Sequence, residues 1–221
     1  MIASDILDRC SAVLGDPSRV RWTASDLLSY LTDAMRQTVL IRPDANAVVA
    51  TVQLTAANTR QAIPSDAVRF LSLVRNMGAG GLVPGSPITP TTREAMDAAS
   101  AAWHVDTASS VIDHYLYNQD TPSVFYVYPK PATGTYVEME YARDVGELTS
   151  VGDTLPLAGI WAEPLREYVM YRAYSRNVSS VSDKQTAANH LRQFYLALGE
   201  ESRAKALFNP YQPTFAAPSG G

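Results

Sequence analysis

Two amphipathic helices are predicted at the start of the chain, where apolar residues recur every three or four positions. The first helix ends before Gly15-Asp16-Pro17, a stop signal. The second can be capped by Thr23 or Ser25 and cannot continue past Pro43, because proline lacks the N–H that a helix interior requires. The apolar stripes are Ile6, Leu7, Cys10, Val13 and Leu14 in the first helix, and Leu27, Leu28, Leu31, Met35 and Val39 in the second.

Helical spacing returns near the end of the chain. Apolar and aromatic residues from Trp161 to Val178 predict a third helix, in which Pro164 is tolerated because it falls in the first turn. Asp183 is the predicted cap of a fourth helix, which can extend beyond Gly199 to Leu207. The core-facing residues expected in this fourth helix are Ala187, Leu191, Phe194 and Leu198.

The middle of the chain follows the period of two that is typical of strands. Residues 48–55 alternate in this way, and Phe70–Val74 fits a strand or a helix, with the strand favoured because Gly78-Ala79-Gly80-Gly81 ends the run early. Thr91 or Thr92 is predicted to cap a brief helix through Ala99. Three later runs bounded by turn residues predict an antiparallel meander: Val111 to Asn118, Ser123 to Tyr128 and Thr135 to Tyr141.

Helices at both ends and strands between them predict an α+β fold. In this interpretation the N- and C-terminal helices form a helical bundle, and an antiparallel β-rich insertion projects from it. The predicted domain boundaries are residues 1–45 for the first part of the bundle, 46–155 for the insertion, 156–208 for the second part of the bundle and 209–221 for an extended C-terminal tail.

Composition narrows the class of protein. The 221 residues include 18 basic and 22 acidic side chains, so the formal net charge is −4 and nucleic-acid binding as the main affinity is disfavoured. Charged residues make up only 18% of the chain, which indicates that partners cover part of its surface. The single cysteine, Cys10, excludes an internal disulfide. We expect no secretory signal and no membrane partner, because the sequence offers neither a signal-like start nor a long apolar run.

Candidate chemistry is sparse. His104 with Asp106, and Asp113 with His114, could supply metal ligands, and a small metal-dependent enzyme that uses this His/Asp cluster is the alternative function. No HxH or HExxH spacing places two of these ligands on one face, so ordinary hydrogen-bonded residues are favoured and no metal or cofactor is predicted. Two glutamates on one strand, at 138 and 140, fit a solvated face better than an acid/base pair.

The predicted third helix combines arginine with tyrosine. Its arginines are Arg166, Arg172 and Arg176, and its tyrosines are Tyr168, Tyr171 and Tyr174. Such a mixture can follow a nucleic-acid backbone, but it is also enriched at protein interfaces, and the negative net charge favours a protein partner. We therefore predict that Tyr171, Arg172 and Tyr174 contribute to an interface.

Several short stretches, taken in order, carry a resemblance to a known family. They are Trp22 with Asp26-Leu27-Leu28, Leu31 to Arg36, Val39 to Ala45, Ile63 to Ala67, Val74 to Gly78, Trp103-His104, His114-Tyr115, Pro122 to Pro129 and Tyr171 to Ser175. Together the stretches resemble the head-to-tail adaptor, or connector, proteins of short-tailed bacteriophages, which are similar in role to tail tubular protein A.

The resemblance implies a non-enzymatic structural protein of the virion. Such adaptors form a ring of about twelve copies, a dodecamer with heterologous contacts between neighbours. The ring binds the portal protein, joins it to a tail nozzle or tail tube protein and extends the DNA channel. The implied location is the portal vertex at the head-tail junction, after synthesis in the bacterial cytoplasm. Genomic DNA would pass through the ring without sequence-specific binding. Tyr171, Arg172 and Tyr174 are expected to lie at the contact between neighbouring copies in the ring.

The C-terminal segment resembles the family in position only. In similar adaptors this segment reaches into the portal, which makes Asn209, Pro210, Tyr211 and Phe215 the candidate portal-binding residues. Two aromatic anchors and several prolines would lower the entropy cost of ordering an extended tail on a partner.

Overall fold

The order of elements is helices, then strands, then helices. The computed structural model describes residues 1–176 and 180–200. Its α-helices are α1 (Ala3–Val13), α2 (Ala24–Ile41), α3 (Arg93–Ala99), α4 (Ala162–Ser175) and α5 (Val181–Ala197). Its strands are β1 (Ala47–Gln53), β2 (Arg60–Ala62), β3 (Ala67–Met77), β4 (Pro84–Pro87), β5 (Thr89–Pro90), β6 (His114–Tyr117), β7 (Val124–Tyr128) and β8 (Tyr136–Arg143). The predicted α+β class is therefore confirmed.

Contacts divide the chain into two compact units. Both ends of the chain, Met1–Arg42 and the residues from Val145 onward, form the helical unit, and Pro43–Asp144 forms the β unit. The four-part domain division predicted from the sequence stays a prediction, and its part from 209 to 221 lies outside the described residues. Across the described part of the chain, no helix is long and apolar enough to cross a membrane.

The helical unit is built from α1, α2, α4 and α5. Thr23 caps α2 as predicted, since its hydroxyl accepts a hydrogen bond from the Asp26 N–H at 3.1 Å. Pro164 lies in the first turn of α4, also as predicted. The apolar stripes meet in a core that contains Leu7, Leu27, Leu31, Leu165, Val169 and Met170, all with no exposed surface. Trp22 joins this core and donates its indole N–H to the Ala173 carbonyl at 3.2 Å.

The β unit contains two four-stranded sheets. The strand order is β1-β8-β3-β4 in the first sheet and β2-β7-β6-β5 in the second. Alternation along β8 buries Val137, Met139 and Tyr141, as the sequence predicted for this strand. These side chains share a core with Phe70 and with Phe125 of the second sheet.

The predicted meander is wrong in its second half. β6 and β7 pair antiparallel, but β8 lies in the other sheet, between β1 and β3. The proline-rich stretch from Pro129 to Gly134 resembles a hairpin turn locally, yet it carries the chain from one sheet to the other. β5 also departs from an all-antiparallel arrangement, because it pairs parallel to β6. Pairing with strands distant in sequence outweighs the local turn signal.

Two helix boundaries also differ from prediction. Ser180, rather than Asp183, caps α5, and its hydroxyl accepts from the Asp183 N–H at 3.2 Å. α5 ends at Ala197, and Gly199 adopts a φ of +80°, the left-handed conformation that closes many helices. The rest of the predicted extension, from residue 201 to Leu207, lies outside the described residues. The strand preference for Phe70–Val74 and the capping of α3 by Thr92 are confirmed.

Candidate interaction site on α4

The predicted interface residues lie on α4 and are all half-buried. Arg172 contacts α2, where its guanidinium is 2.5 Å from the Asp33 carboxylate and 5.1 Å from the centre of the Tyr30 ring. Burial alone would lower the pKa of Arg172. The hydrogen bond with Tyr168 and the charge of Asp33 outweigh that effect, so the pKa is raised and the guanidinium stays charged.

Aromatic stacking fixes the two neighbouring tyrosines. Tyr171 meets Tyr168 edge to face at 5.5 Å between ring centres, and Tyr168 in turn contacts Phe194 of α5 at 5.1 Å. Tyr174 stacks on His190 of α5, with rings 5.6 Å apart and nearly parallel. The exposed parts of these side chains are therefore held in one orientation before any partner binds.

The three arginines of α4 do not form a free basic stripe. Arg166 pairs with Glu163 and Glu167, at 2.5 and 2.6 Å. Beyond the Arg172–Asp33 pair, Arg176 contacts Asp26 of α2 at 2.9 Å. Each guanidinium thus has a carboxylate partner within the helical unit, which removes the charge pattern that a nucleic-acid backbone would need.

Sequence reasoning missed Glu167, the buried acid at the centre of this arrangement. Its side chain is 6% exposed, and it accepts from Arg166 and contacts Nδ1 of His190 at 2.7 Å. A glutamate among polar neighbours on an amphipathic helix gives no signal of burial. Only the packing of α5, which brings His190 over α4, shows that this carboxylate joins the two helices.

An open groove lies beside Asp33. It has a volume of about 630 Å³ and lies between α2 and residues 147–151. Arg36 and Glu147 face each other across it at 3.3 Å. The groove and the Arg172 contact share Asp33, so they form one continuous surface of the helical unit.

Three of the four side chains considered as metal ligands, His104, His114 and Asp106, have separate hydrogen-bond partners. Nδ1 of His104 lies 2.9 Å from the Thr59 hydroxyl, and Nδ1 of His114 lies 2.7 Å from the Thr89 hydroxyl. Asp106 accepts from the Tyr128 hydroxyl at 3.0 Å, which raises the pKa of Tyr128. Among residues 1–176 and 180–200, no group of three or more His, Cys, Asp or Glu side chains could hold a metal ion.

The paired glutamates of β8 have structural partners. Glu138 forms an ion pair with Arg75 at 3.1 Å, and Glu140 accepts from the Ser72 hydroxyl at 3.1 Å. Both partners lie on β3, so the two carboxylates tie neighbouring strands together.

The candidate portal-binding residues Asn209, Pro210, Tyr211 and Phe215 lie outside the described residues. Their assignment stays a prediction.

Comparison with known proteins gives the class that this α+β chain belongs to. Residues 1–214 match the model of a family of structural phage adaptors, so the chain is a phage adaptor protein. More particularly, it belongs to the SU10 adaptor protein family. No curated protein matches the chain.

Proposed function

We propose that the chain forms a ring of about twelve copies that joins the portal to the tail and extends the DNA channel. The observation that carries this proposal is the match to the SU10 adaptor family, which spans both units of the chain. In this proposal the helical unit and the C-terminal tail bind the portal, and the β unit binds the next tail component.

The α4 surface supports the ring contact. Tyr171, Arg172 and Tyr174 present aromatic and guanidinium area, the side chains most enriched at the energetic centres of interfaces. Their internal contacts with α2 and α5 hold them in place, so a neighbouring copy would bind them at low entropic cost. We propose that a different face of the neighbouring copy packs here and against the groove beside Asp33, as a heterologous ring requires.

The charge distribution supports passage of DNA without retention. The β unit, residues 43–144, contains six basic and ten acidic residues and therefore carries the whole net charge of −4. The rest of the sequence has twelve of each sign. An acidic unit repels phosphates, and paired arginines on α4 offer no free cations there, so we expect no stable complex with duplex DNA.

The proposed ring is tested by imaging the protein mixed with the portal protein from the same genome. We expect rings seated on the portal, and portal particles without added density would refute the function. Loss of rings in the Tyr171→Ala variant, with helical content unchanged by circular dichroism, would support the α4 contact. Tyr136→Ala is the matched control, because it makes the same change on the β unit and should still form rings.

The role of the tail is tested by co-sedimentation with the portal. Deletion of residues 209–221 should leave the helical and β units folded but weaken portal binding. The double variant Tyr211→Ala/Phe215→Ala should reproduce most of that loss, while Gln212→Ala/Thr214→Ala, in the same segment, should not. Unchanged sedimentation of the deletion variant would contradict the proposed role of the tail.

A further inference from the structure

Three of the four sheet edges in the β unit are blunted, and the fourth, β1, is not. β2 has three residues, β5 has two including a proline, and β4 has four with prolines at both ends. β1 is different, because its sequence Ala-Val-Val-Ala-Thr-Val-Gln runs for seven residues with no proline, glycine or charge. Proteins normally shorten, charge or interrupt an edge strand, because its unpaired N–H and C=O groups recruit other strands.

The hydrogen-bond register fixes which backbone groups of β1 face outward. Leu54, directly after β1, donates its N–H to Thr135 at 2.9 Å, in continuation of the register that pairs Val52 with Val137 and Ala50 with Met139. Along an antiparallel ladder, residue pairs that exchange two backbone hydrogen bonds alternate with pairs that exchange none. The N–H and C=O groups of Ala47, Val49, Thr51 and Gln53 therefore point away from β8. Among the described residues, β8 is the one strand paired with β1.

This edge is complementary to itself. In an antiparallel pairing centred on Ala50, Val49 of one copy lies opposite Thr51 of the other, and Ala47 lies opposite Gln53. All four outward-facing residues of each copy then lie in hydrogen-bonded pairs. The four facing pairs give about eight backbone hydrogen bonds, two for each pair. The half-buried side chains of Val48, Ala50 and Val52 continue the apolar face across the join.

We infer that in solution, before it meets the portal, this protein forms a two-fold dimer through antiparallel pairing of β1 with β1 of a second copy. A second copy is the occupant the observations favour, because the uncharged strand meets no like-charge repulsion and the remaining edges are too short or too proline-rich to match seven residues. The four-stranded sheet that contains β1 in each copy then joins its counterpart to form one sheet of eight strands. The pairing is isologous, whereas the ring contact proposed above is heterologous, so we assign this dimer to the free protein.

Concentration-dependent sedimentation tests the inference. The protein should exchange between monomer and dimer, and Val49→Lys should weaken the dimer severalfold, because the two lysines lie diagonally across the join and repel each other. Val83→Lys is the matched control, since Val49 and Val83 are both 59% exposed and Val83 lies outside the proposed join. A wild-type protein that stays monomeric across the concentration range, or equal dimerisation of the two lysine variants, would overturn the inference.

Cysteine cross-linking tests the register. Ala50→Cys places two thiols directly opposite each other and should give a disulfide-linked dimer under mild oxidation, whereas Val48→Cys, on the same strand face, should not because its opposite residue is Val52. The native Cys10 will not interfere, because it is fully buried and burial raises its pKa to about 12. Equal cross-linking at both positions would contradict the register centred on Ala50.

The inference does not depend on portal binding, and the two can fail separately. The Val49→Lys variant should still join rings on the portal. If the wild-type protein is monomeric and Val49→Lys instead loses a tail component, the edge serves that partner and the dimer is wrong. If dimers form but no ring assembles on the portal, the proposed function fails and the dimer stands.

Discussion

Replacement of Asn76 by alanine is expected to destabilise the β unit far more than any exposed asparagine would. The Asn76 side chain is 5% exposed. Its amide donates to the Ile112 carbonyl at 2.8 Å and to the carbonyl and hydroxyl of Ser86 at 3.2 and 3.0 Å, and its oxygen accepts from the Ile112 N–H at 2.8 Å. One side chain thus joins β3, β4 and the segment before β6.

The magnitude follows from the groups left behind. Ile112 has no exposed surface, so Asn76→Ala leaves its N–H and C=O without partners or access to water. A buried polar group without a partner costs about 1–3 kcal/mol, so the two groups together should lower the free energy of unfolding by about 2–6 kcal/mol. With a denaturant slope of about 2 kcal/mol/M, this loss lowers the urea midpoint of the β unit by about 1–3 M.

Two measurements test this prediction: urea unfolding gives the midpoint, and native-state hydrogen exchange shows where the structure is weakened. Exchange should accelerate around Ile112, β3 and β4 and stay unchanged in α2 and α4. Asn118→Ala is the control, because Asn118 is exposed and its side chain accepts one hydrogen bond, from the Asp120 N–H at 2.9 Å. Asn76→Asp keeps the shape but turns a carboxylate toward two carbonyls, and should be equally damaging. A midpoint for Asn76→Ala within error of the Asn118→Ala midpoint would refute the reasoning.

Three further predictions concern the helical unit. Asp16 accepts hydrogen bonds from three backbone N–H groups, led by those of Trp22 and Val20, and these bonds lower its pKa. Its contribution to stability is therefore present above the ordinary carboxyl pKa and is lost as the pH falls through the lowered value. In thermal melts, the melting temperature should fall less at acid pH for Asp16→Asn than for wild type. Trp22→Phe should cost about 1–2 kcal/mol in urea unfolding because it removes a buried hydrogen bond to a backbone carbonyl. Trp161→Phe should cost less because Phe can still pack beneath Arg42. A double-mutant cycle of Arg172→Met and Asp33→Asn should give a coupling of about 0.5–1 kcal/mol, and zero coupling would contradict a formed ion pair.

Local sequence patterns were enough to predict most of the helices and strands. Thr23 and Thr92 are caps because their hydroxyls accept an N–H three residues on, a pattern that needs no tertiary information. Alternation in β8 identified its buried face for the same reason. The partner of β8 could not be found in this way, because pairing with β1 and β3 depends on contacts between residues far apart in the chain.

The candidate site shows the same division. The sequence placed arginine and tyrosine together on one helix, but the carboxylates that neutralise the arginines come partly from α2, through Asp26 and Asp33. Burial of Glu167 depends on α5 and could not be predicted. Trp22 and Asn76 lie in stretches that resemble the family, and the structure shows that each of these side chains binds a backbone group far away in sequence.

The β unit begins and ends at the same place in its first sheet. Ala47 pairs with Ala142, and the Asn46 side chain donates to the Arg143 carbonyl at 2.9 Å, so the incoming and outgoing segments lie side by side. Because its two ends are adjacent, the β unit can be inserted or replaced as a whole. Genetic exchange at two short positions, one on each side of this pair, would carry about a hundred residues between phage genomes while the joins keep their spacing.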